Sequence, residues 1–459
     1  MSVEISFLGA CGTVTGSKYL VEGAGKKLLI DAGMFQGQRK WRERNWQLPP
    51  VSLDSVDAVL LTHAHIDHTG ILPRFDREGL HCPVFATAAT TDLAEILLPD
   101  SGRLQEEYTE YVRDKGYSRY KNPQPLYTER DAKEVLQAFH SVKFEERKEV
   151  LPGIYATWRR MGHILGAASI FLEIGGRSIT FSGDVGRYQV PILKDPQSTD
   201  LGDLLLIEST YGSRQHVDSD LKSKLAGFIN TAHDRGGMLL IPSFAVGRTQ
   251  LILYYIRELK QEGRIPDLPV IIDSPMAKDA TALYREHVAD YDQTALAMFQ
   301  DGVQPFTPSR MHFTRSRTES IKLNSIVEPM VLISASGMLS GGRILHHLKH
   351  RISSPLNTLL FVGYQPPGGT GDWLLSGADS VRILGREYAV RADIRQLSGL
   401  SAHGDKQELL TWCRSCNGEP GQVAVVHGEE DSRHDFARTL TEELKWNAVC
   451  PDYLARLEV

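Results

Sequence analysis

The N-terminal part of the chain is built from short apolar or β-branched runs, each followed by turn residues. Residues 5–8, 27–31, 56–62, 154–161, 170–174, 178–182 and 204–207 read as strands. Residues 90–116 and 129–139, rich in Glu, Leu and Ala, read as helices between them. Further along the rhythm changes. Continuous apolar runs at 238–241, 270–272, 331–333 and 359–362 alternate with amphipathic stretches at 221–232, 247–261, 277–288 and 342–352. Buried runs alternating with helices predict a parallel sheet covered on both faces. The tail returns to the first pattern, with helices at 406–416 and 432–445 around a strand at 423–426.

At 459 residues the chain exceeds one ordinary core. The change of rhythm predicts an α/β domain at residues 209–395, inserted into a strand-rich domain formed by residues 1–208 and 396–459. No apolar run approaches the roughly 20 residues that span a bilayer, and residues 1–5 lack the basic-then-apolar opening of a signal peptide. The expected location is therefore cytoplasmic, with no membrane partner. Five scattered cysteines argue against a disulfide framework, and Cys413 and Cys416 have no second pair with which to complete a zinc site. The net charge of −6 excludes a protein that coats nucleic acid through overall basicity, so any nucleic acid must be held by a local positive cleft.

Candidate chemistry concentrates in Leu60-Leu61-Thr62-His63-Ala64-His65-Ile66-Asp67-His68-Thr69-Gly70, where three histidines and an aspartate fall within six positions after a strand. Imidazole with carboxylate suits zinc, with manganese or iron as alternatives. His63 and His65 share one side if the chain is still extended; Asp67 and His68, past the bend, can face a second ion. A ligand belongs at the end of a strand, and that rule adds Asp31, His163, Asp184, Glu208 and His427. Capping or turn formation competes for each one singly; together they form a set that one sheet edge can gather.

With His163 and Asp184 downstream, His63-x-His65-x-Asp67-His68 resembles the metallo-β-lactamase superfamily, which serves many substrates. Glu208-Ser209-Thr210-Tyr211-Gly212, Ser401-Ala402-His403-Gly404-Asp405 and Val426-His427-Gly428-Glu429 resemble motifs A, B and C of its β-CASP nucleases. Pro242-Ser243-Phe244-Ala245-Val246-Gly247-Arg248 and Ser334-Ala335-Ser336-Gly337-Met338 resemble that group's inserted domain, and the likeness runs nearly end to end. The kinship is with bacterial and archaeal homologues of the endonuclease subunit of the cleavage and polyadenylation specificity factor. The resemblance implies an α/β protein: a metallo-β-lactamase αββα sandwich interrupted by a β-CASP domain whose parallel sheet is flanked by helices. It implies that His63, His65 and His163 hold one zinc ion and that Asp67, His68 and His427 hold the other. Asp184 would bridge the two, and Asp31 would orient a ligand or the water. A histidine at motif C resembles the RNA-cutting branch. Relatives often dimerise, so a homodimer is within the expectation. One departure is Gly369-Thr370-Gly371-Asp372-Trp373, where Trp373 replaces the family's usual arginine; it bears on the grip on RNA.

The implied function is a two-zinc ribonuclease, endonucleolytic, with 5′-to-3′ exonuclease action also open. Two divalent ions lower the pKa of water and neutralise charge on the scissile phosphate. His403, partnered by Glu208, is the expected proton donor to the leaving oxygen; a helix-start role is the alternative. Ser243, Phe244, Gly247 and Arg248, and likewise Ser336, Gly337 and Arg343, have a strand–glycine–helix form whose backbone N–H groups can hold phosphate. A tight turn without ligand competes at both. The stretch 346–351 reads as a solvated helix end rather than an RNA track. Arg39, Lys40, Trp41, Arg42 and Arg44 read equally as a stacking platform or a surface loop. The competing functions are a small-molecule metallohydrolase and a catalytically silent RNA-processing subunit.

Overall fold

Strands buried on both faces explain why the apolar runs are continuous rather than alternating. In the strand Lys26–Ile30, Leu28 and Ile30 belong to one core while Leu29 belongs to another. In Leu204–Glu208, Leu204 and Leu206 join the first of these cores, and Leu205 and Ile207 join a third. A computed structural model describes residues 2–116, 121–216, 220–365 and 368–459. It divides into two units, Met1–Gln215 with His403–Val459, and His216–Ala402. The second compact unit thus covers residues 216–402, where the sequence led to the expectation of an insertion at 209–395. At the far end the reason is physical. Asp393–Gln396 is a polar strand that pairs in parallel with Thr358–Phe361 of the inserted sheet, and a search for apolar runs passes over it.

The first unit holds two seven-stranded sheets. One runs in the order Arg456–Glu458, Glu4–Phe7, Tyr19–Gly23, Lys26–Ile30, Ala58–Leu60, Val84–Thr87, Phe139–Val142, antiparallel at first and parallel from Lys26–Ile30 onward. The other runs Ala448–Val449, Gln422–Val426, Leu204–Glu208, Arg177–Phe181, Ala168–Ile174, Ile154–Arg160, Lys148–Leu151. Side chains from both sheets meet in one core that includes Phe7, Ile30, Trp158, Ile170 and Phe181. The outer face of the first sheet packs on residues of the helices Leu72–Arg77, Ala88–Asp114 and Glu129–Val135. That of the second packs on Lys406–Ser415 and Glu430–Thr439. The result is an αββα sandwich. Asp405 caps Lys406–Ser415 by accepting from the N–H groups of Gln407 and Glu408, which fixes where the His403 turn ends.

The inserted unit is a six-stranded sheet, parallel throughout, in the order Met311–Phe313, Val270–Asp273, Val331–Ser334, Leu239–Pro242, Thr358–Phe361, Asp393–Gln396. The strand run predicted to 62 stops at Leu60, and residues 66–69 form a short helix, so His63 and His65 lie on an irregular connection rather than on extended chain. Short strands rich in small or polar residues, such as Val84–Thr87 and Lys148–Leu151, carry too little apolar length to be read from the sequence. No helix among the described residues is long and apolar enough to cross a membrane.

Trp158 is fully buried in the sandwich core, and its indole N–H donates to the Leu61 carbonyl at 3.1 Å, at the start of the ligand loop. Trp158→Ala should therefore destabilise the first unit by about 3–5 kcal/mol. Urea unfolding followed by tryptophan fluorescence and circular dichroism checks this; a loss below about 1 kcal/mol would mean the core collapses around the gap.

Candidate metal centre

The connections that follow the strand ends converge on one edge of the first unit. Asp31, just past its strand, accepts the Thr62 N–H at 2.8 Å and so pins the turn before His63. The Gly33 backbone lies against the Asp67 carbonyl, where any Cβ would collide. The His427 N–H donates to the Ala10 carbonyl at 2.7 Å. Asp31 and His427 both have left-handed backbones, with φ of 58° and 48°, a conformation that non-glycine residues adopt at a cost and that gathers at functional sites.

Two sets of ligand atoms form. His63 Nε2 and His163 Nε2 each lie 3.1 Å from His65 Nδ1 and 3.3 Å from Asp184 Oδ2. His68 Nε2 lies 3.2 Å from His427 Nε2 and 3.3 Å from Asp184 Oδ1, and His427 Nε2 lies 3.6 Å from Asp67 Oδ2. A tetrahedral site with bonds of about 2.0–2.1 Å has edges of about 3.3 Å. The spacings match such edges, and the two Asp184 oxygens divide between the sets as a bridging carboxylate must.

Charge provides an independent test. Asp31, Asp184 and Glu208 are buried and Asp67 is mostly so, yet none of the four pairs with a lysine or arginine among the described residues. Both Asp184 oxygens lack a hydrogen-bond donor. Buried carboxylates left this way are costly unless cations meet them. Burial lowers the pKa of His63 and His163 and brings His65 down to about 3, so these rings are neutral and can offer lone pairs. The residues present therefore fit two divalent ions.

A polar layer stands behind the ligands. Asp31 Oδ2 holds His68 Nδ1 at 2.7 Å, Thr62 Oγ1 lies 3.1 Å from His63 Nδ1, and Thr210 Oγ1 lies 3.1 Å from His427 Nδ1. Such contacts select which ring nitrogen faces the ion. The two threonines were missed by a search for ligand types, although each sits within a ligand motif.

Glu208 accepts the Val185 N–H at 2.7 Å and the Thr210 N–H at 3.2 Å, and its oxygens lie 3.1 and 3.2 Å from His403 Nδ1. Burial opposes a charge on His403, but Glu208 and then Asp184 outweigh it and raise the ring to about 9. With Nδ1 committed to Glu208 and 3.8 Å from Asp184 Oδ2, His403 can transfer a proton through Nε2.

In the inserted unit, Gly247, with φ of 76°, opens the helix Arg248–Gln261, and the Phe244 ring packs against Gly337 while remaining 42% exposed. Arg248 donates to the Val362 carbonyl. Arg343 bonds the fully buried Asp273 carboxylate at 2.7 Å, which also takes His347 and Ser320 at 2.6 Å each. Ser336 Oγ lies 3.2 Å from Ser340 Oγ, and Ser243 is buried. Trp373 is 61% exposed and donates to the Ser380 carbonyl. Among the described residues the CxxC thiols join no ligand group: Cys413 is core, and burial pushes Cys416 up to about 11.

Fold and site together define a metal-dependent hydrolase. Residues 12–222 match the metallo-beta-lactamase superfamily, residues 249–374 the Beta-Casp domain, and residues 387–451 the Zn-dependent metallo-hydrolase RNA specificity domain. Ribonuclease TTHA0252 of Thermus thermophilus is 39% identical over 426 residues, covering 92% of this chain and 92% of that protein. An RNase J-like protein of Methanocaldococcus jannaschii is 30% identical, covering 98% of both. The transcription termination factor FttA of the same organism is also 30% identical, covering 100% of this chain and 72% of its own length. A solved structure, a protein of unknown function from Enterococcus faecalis V583, aligns over the full length of both chains with a TM-score of 0.54 at 11% identity, a likeness of fold alone. The chain belongs to the β-CASP ribonuclease family of the metallo-β-lactamase superfamily.

Asp31→Asn keeps the shape and tolerates the left-handed backbone but removes the charge behind His68. It should weaken retention of one ion about 10- to 100-fold while the other stays. Titration with a competing chelator, with metal content read by elemental analysis, checks this; two ions held as tightly as before would refute the orienting role.

Proposed function

We propose that this chain hydrolyses phosphodiester bonds of single-stranded RNA at a two-zinc centre, cutting internally and also from the 5′ end. The observation that carries the reading is the Glu208–His403 pair set beside the bridging Asp184 carboxylate. The relatives named as ribonucleases support RNA as the substrate. Five imidazoles with two aspartates favour zinc over the oxygen-seeking divalent ions. Five free cysteines fit a reducing cytoplasm. A silent subunit would have lost ligands, and all seven are in place.

The ions supply Lewis acidity toward the phosphate and lower the pKa of water. The chain's own residues do the rest. His63, His65 and His163 would hold one ion and Asp67, His68 and His427 the other, with Asp184 offering an oxygen to each set. Asp31, Thr62 and Thr210 hold the rings in place. His403 delivers a proton from Nε2 to the departing oxygen, and Glu208 orients the ring and stabilises its cation. In the inserted unit, the exposed Phe244 ring offers a stacking face, and the turns carrying Ser243, Gly247 and Arg248, and Ser336, Gly337 and Arg343, would contact the strand.

His403→Ala should keep both ions and lose about 10²- to 10⁴-fold in kcat on RNA. Loss of an ion in that variant would instead make His403 a ligand. The parent activity is tested with zinc- or manganese-loaded protein on end-labelled and internally labelled RNA and on the matching DNA. Cleavage of RNA alone is expected; intact metal content with no RNA cleaved would end the ribonuclease reading.

A further inference from the structure

The basic, aromatic segment after Asp31 is not used by the centre itself. In the helix Arg39–Arg42 only Trp41 is half-buried, and Arg39, Lys40 and Arg42 are exposed, so packing does not account for the basic residues. Trp41 stacks on Phe35 with centroids 6.4 Å apart and planes 15° apart. Lys40 Nζ stands 4.6 Å from the Trp41 ring, and the Arg44 guanidinium lies 4.5 Å from Trp41 and 4.0 Å from Tyr453. Lys18 and Arg44 line one recess with Phe35 and Tyr453. Lys18 is 5% exposed, donates to the Gly16 and Gly33 carbonyls, and stands 4.2 Å from the Phe35 ring.

In a chain with more acids than bases, Lys18, Lys40, Arg42 and Arg44 form no ion pair among the described residues, while neighbouring Arg39 pairs with Glu43 at 2.6 Å. Lys40 and Arg44 lie on aromatic faces beside the exposed Arg42, and cations outside ion pairs are suited to meet an anion. The segment is also tied to the metal loop. The Met34 N–H donates to the Ile66 carbonyl at 2.9 Å, and the Gly33 backbone abuts Asp67.

We propose that Lys40, Trp41, Arg42 and Arg44 form a substrate-strand subsite beside the metal centre. Trp41 and the Arg44 plane stack a base, and the cations hold the phosphates that flank the scissile bond. This rests on the ribonuclease reading. The subsite reads backbone charge and ring faces, not base edges, so it is indifferent to sequence.

The test uses two variants of the full, metal-loaded chain: Trp41→Ala, and the double variant Lys40→Glu with Arg42→Glu, both exposed positions. Binding of a 5′-fluorescent single-stranded RNA is followed by anisotropy across a salt series, in chelator-free buffer at a temperature where cleavage is slow. Trp41→Ala should raise Kd about tenfold. The double variant should also lower the slope of log affinity against log salt by about 0.7 for each phosphate that is no longer neutralised, and raise KM on RNA more than it lowers kcat. An unchanged slope with Kd within twofold of wild type in both variants overturns the subsite. The two readings fail separately. A wild type that cuts RNA while the variants bind normally overturns the subsite alone. A wild type that hydrolyses bis(p-nitrophenyl) phosphate but neither binds nor cuts RNA overturns the ribonuclease reading with it.

Discussion

The carboxylate of Asp184 is the group on which the rest depends. It is buried, no hydrogen-bond donor meets it, and its two oxygens face different histidine sets at 3.3 Å. An isolated carboxylate in that position costs several kcal/mol, so the fold must bring cations to it and hold the remaining ligands around them. Strand register does this. Leu204–Glu208 pairs in parallel with Gln422–Val426 so that Glu208 stands opposite Val426, which puts His427 one step beyond. A slip of one residue in either strand would turn Leu205 and Ile207, or Val423 and Val425, from the helical layer into the sandwich core and carry Glu208 or His427 away from the edge. The apolar layers on both sides of the sheet therefore fix the geometry of a site that contains almost nothing apolar.

Legibility in the sequence followed locality. His63 to His68 could be read because the ligand types are dense within one connection. His163, Asp184 and His427 could be read because strands deliver their following residues to a common edge, a rule that needs only strand ends. The inserted sheet was legible where its strands were wholly apolar and illegible at Asp393–Gln396, whose exposed residues look like a loop until the pairing with Thr358–Phe361 is seen. Arg343 marks another boundary. A basic residue after a glycine turn invites a phosphate, and nothing near it in sequence announces the buried Asp273, seventy positions earlier, that takes its Nη1. Side-chain partners distant in the chain are set by tertiary packing, which residue type and spacing do not encode.

Hydroxyls behind the ligands were invisible for a different reason. Thr62 and Thr210 are ordinary strand-end residues by type, and their role lies in which ring nitrogen they face. Their contacts, with that of Asp31, explain why His63, His68 and His427 all turn Nε2 toward the other candidate ligand atoms. Asp31 and His427 hold left-handed backbones to do so, a strain that the surrounding hydrogen bonds sustain.

The two ion positions are not equivalent. Around the Asp67, His68 and His427 set lie Asp67, one oxygen of Asp184, and Asp31 against His68. Around the His63, His65 and His163 set, Asp184 alone contributes a carboxylate ligand. The first of these sets gathers more negative charge and gains more from an ion, which suits it to anchoring. His403 sits on the other side, its ring 4.5 Å from that of His163 and 6.1 Å from that of His427. His403 is held there by Glu208, itself fixed by two backbone N–H groups. The asymmetry follows from where the carboxylates lie, and Asp184, the one group whose two oxygens face both sets, joins them.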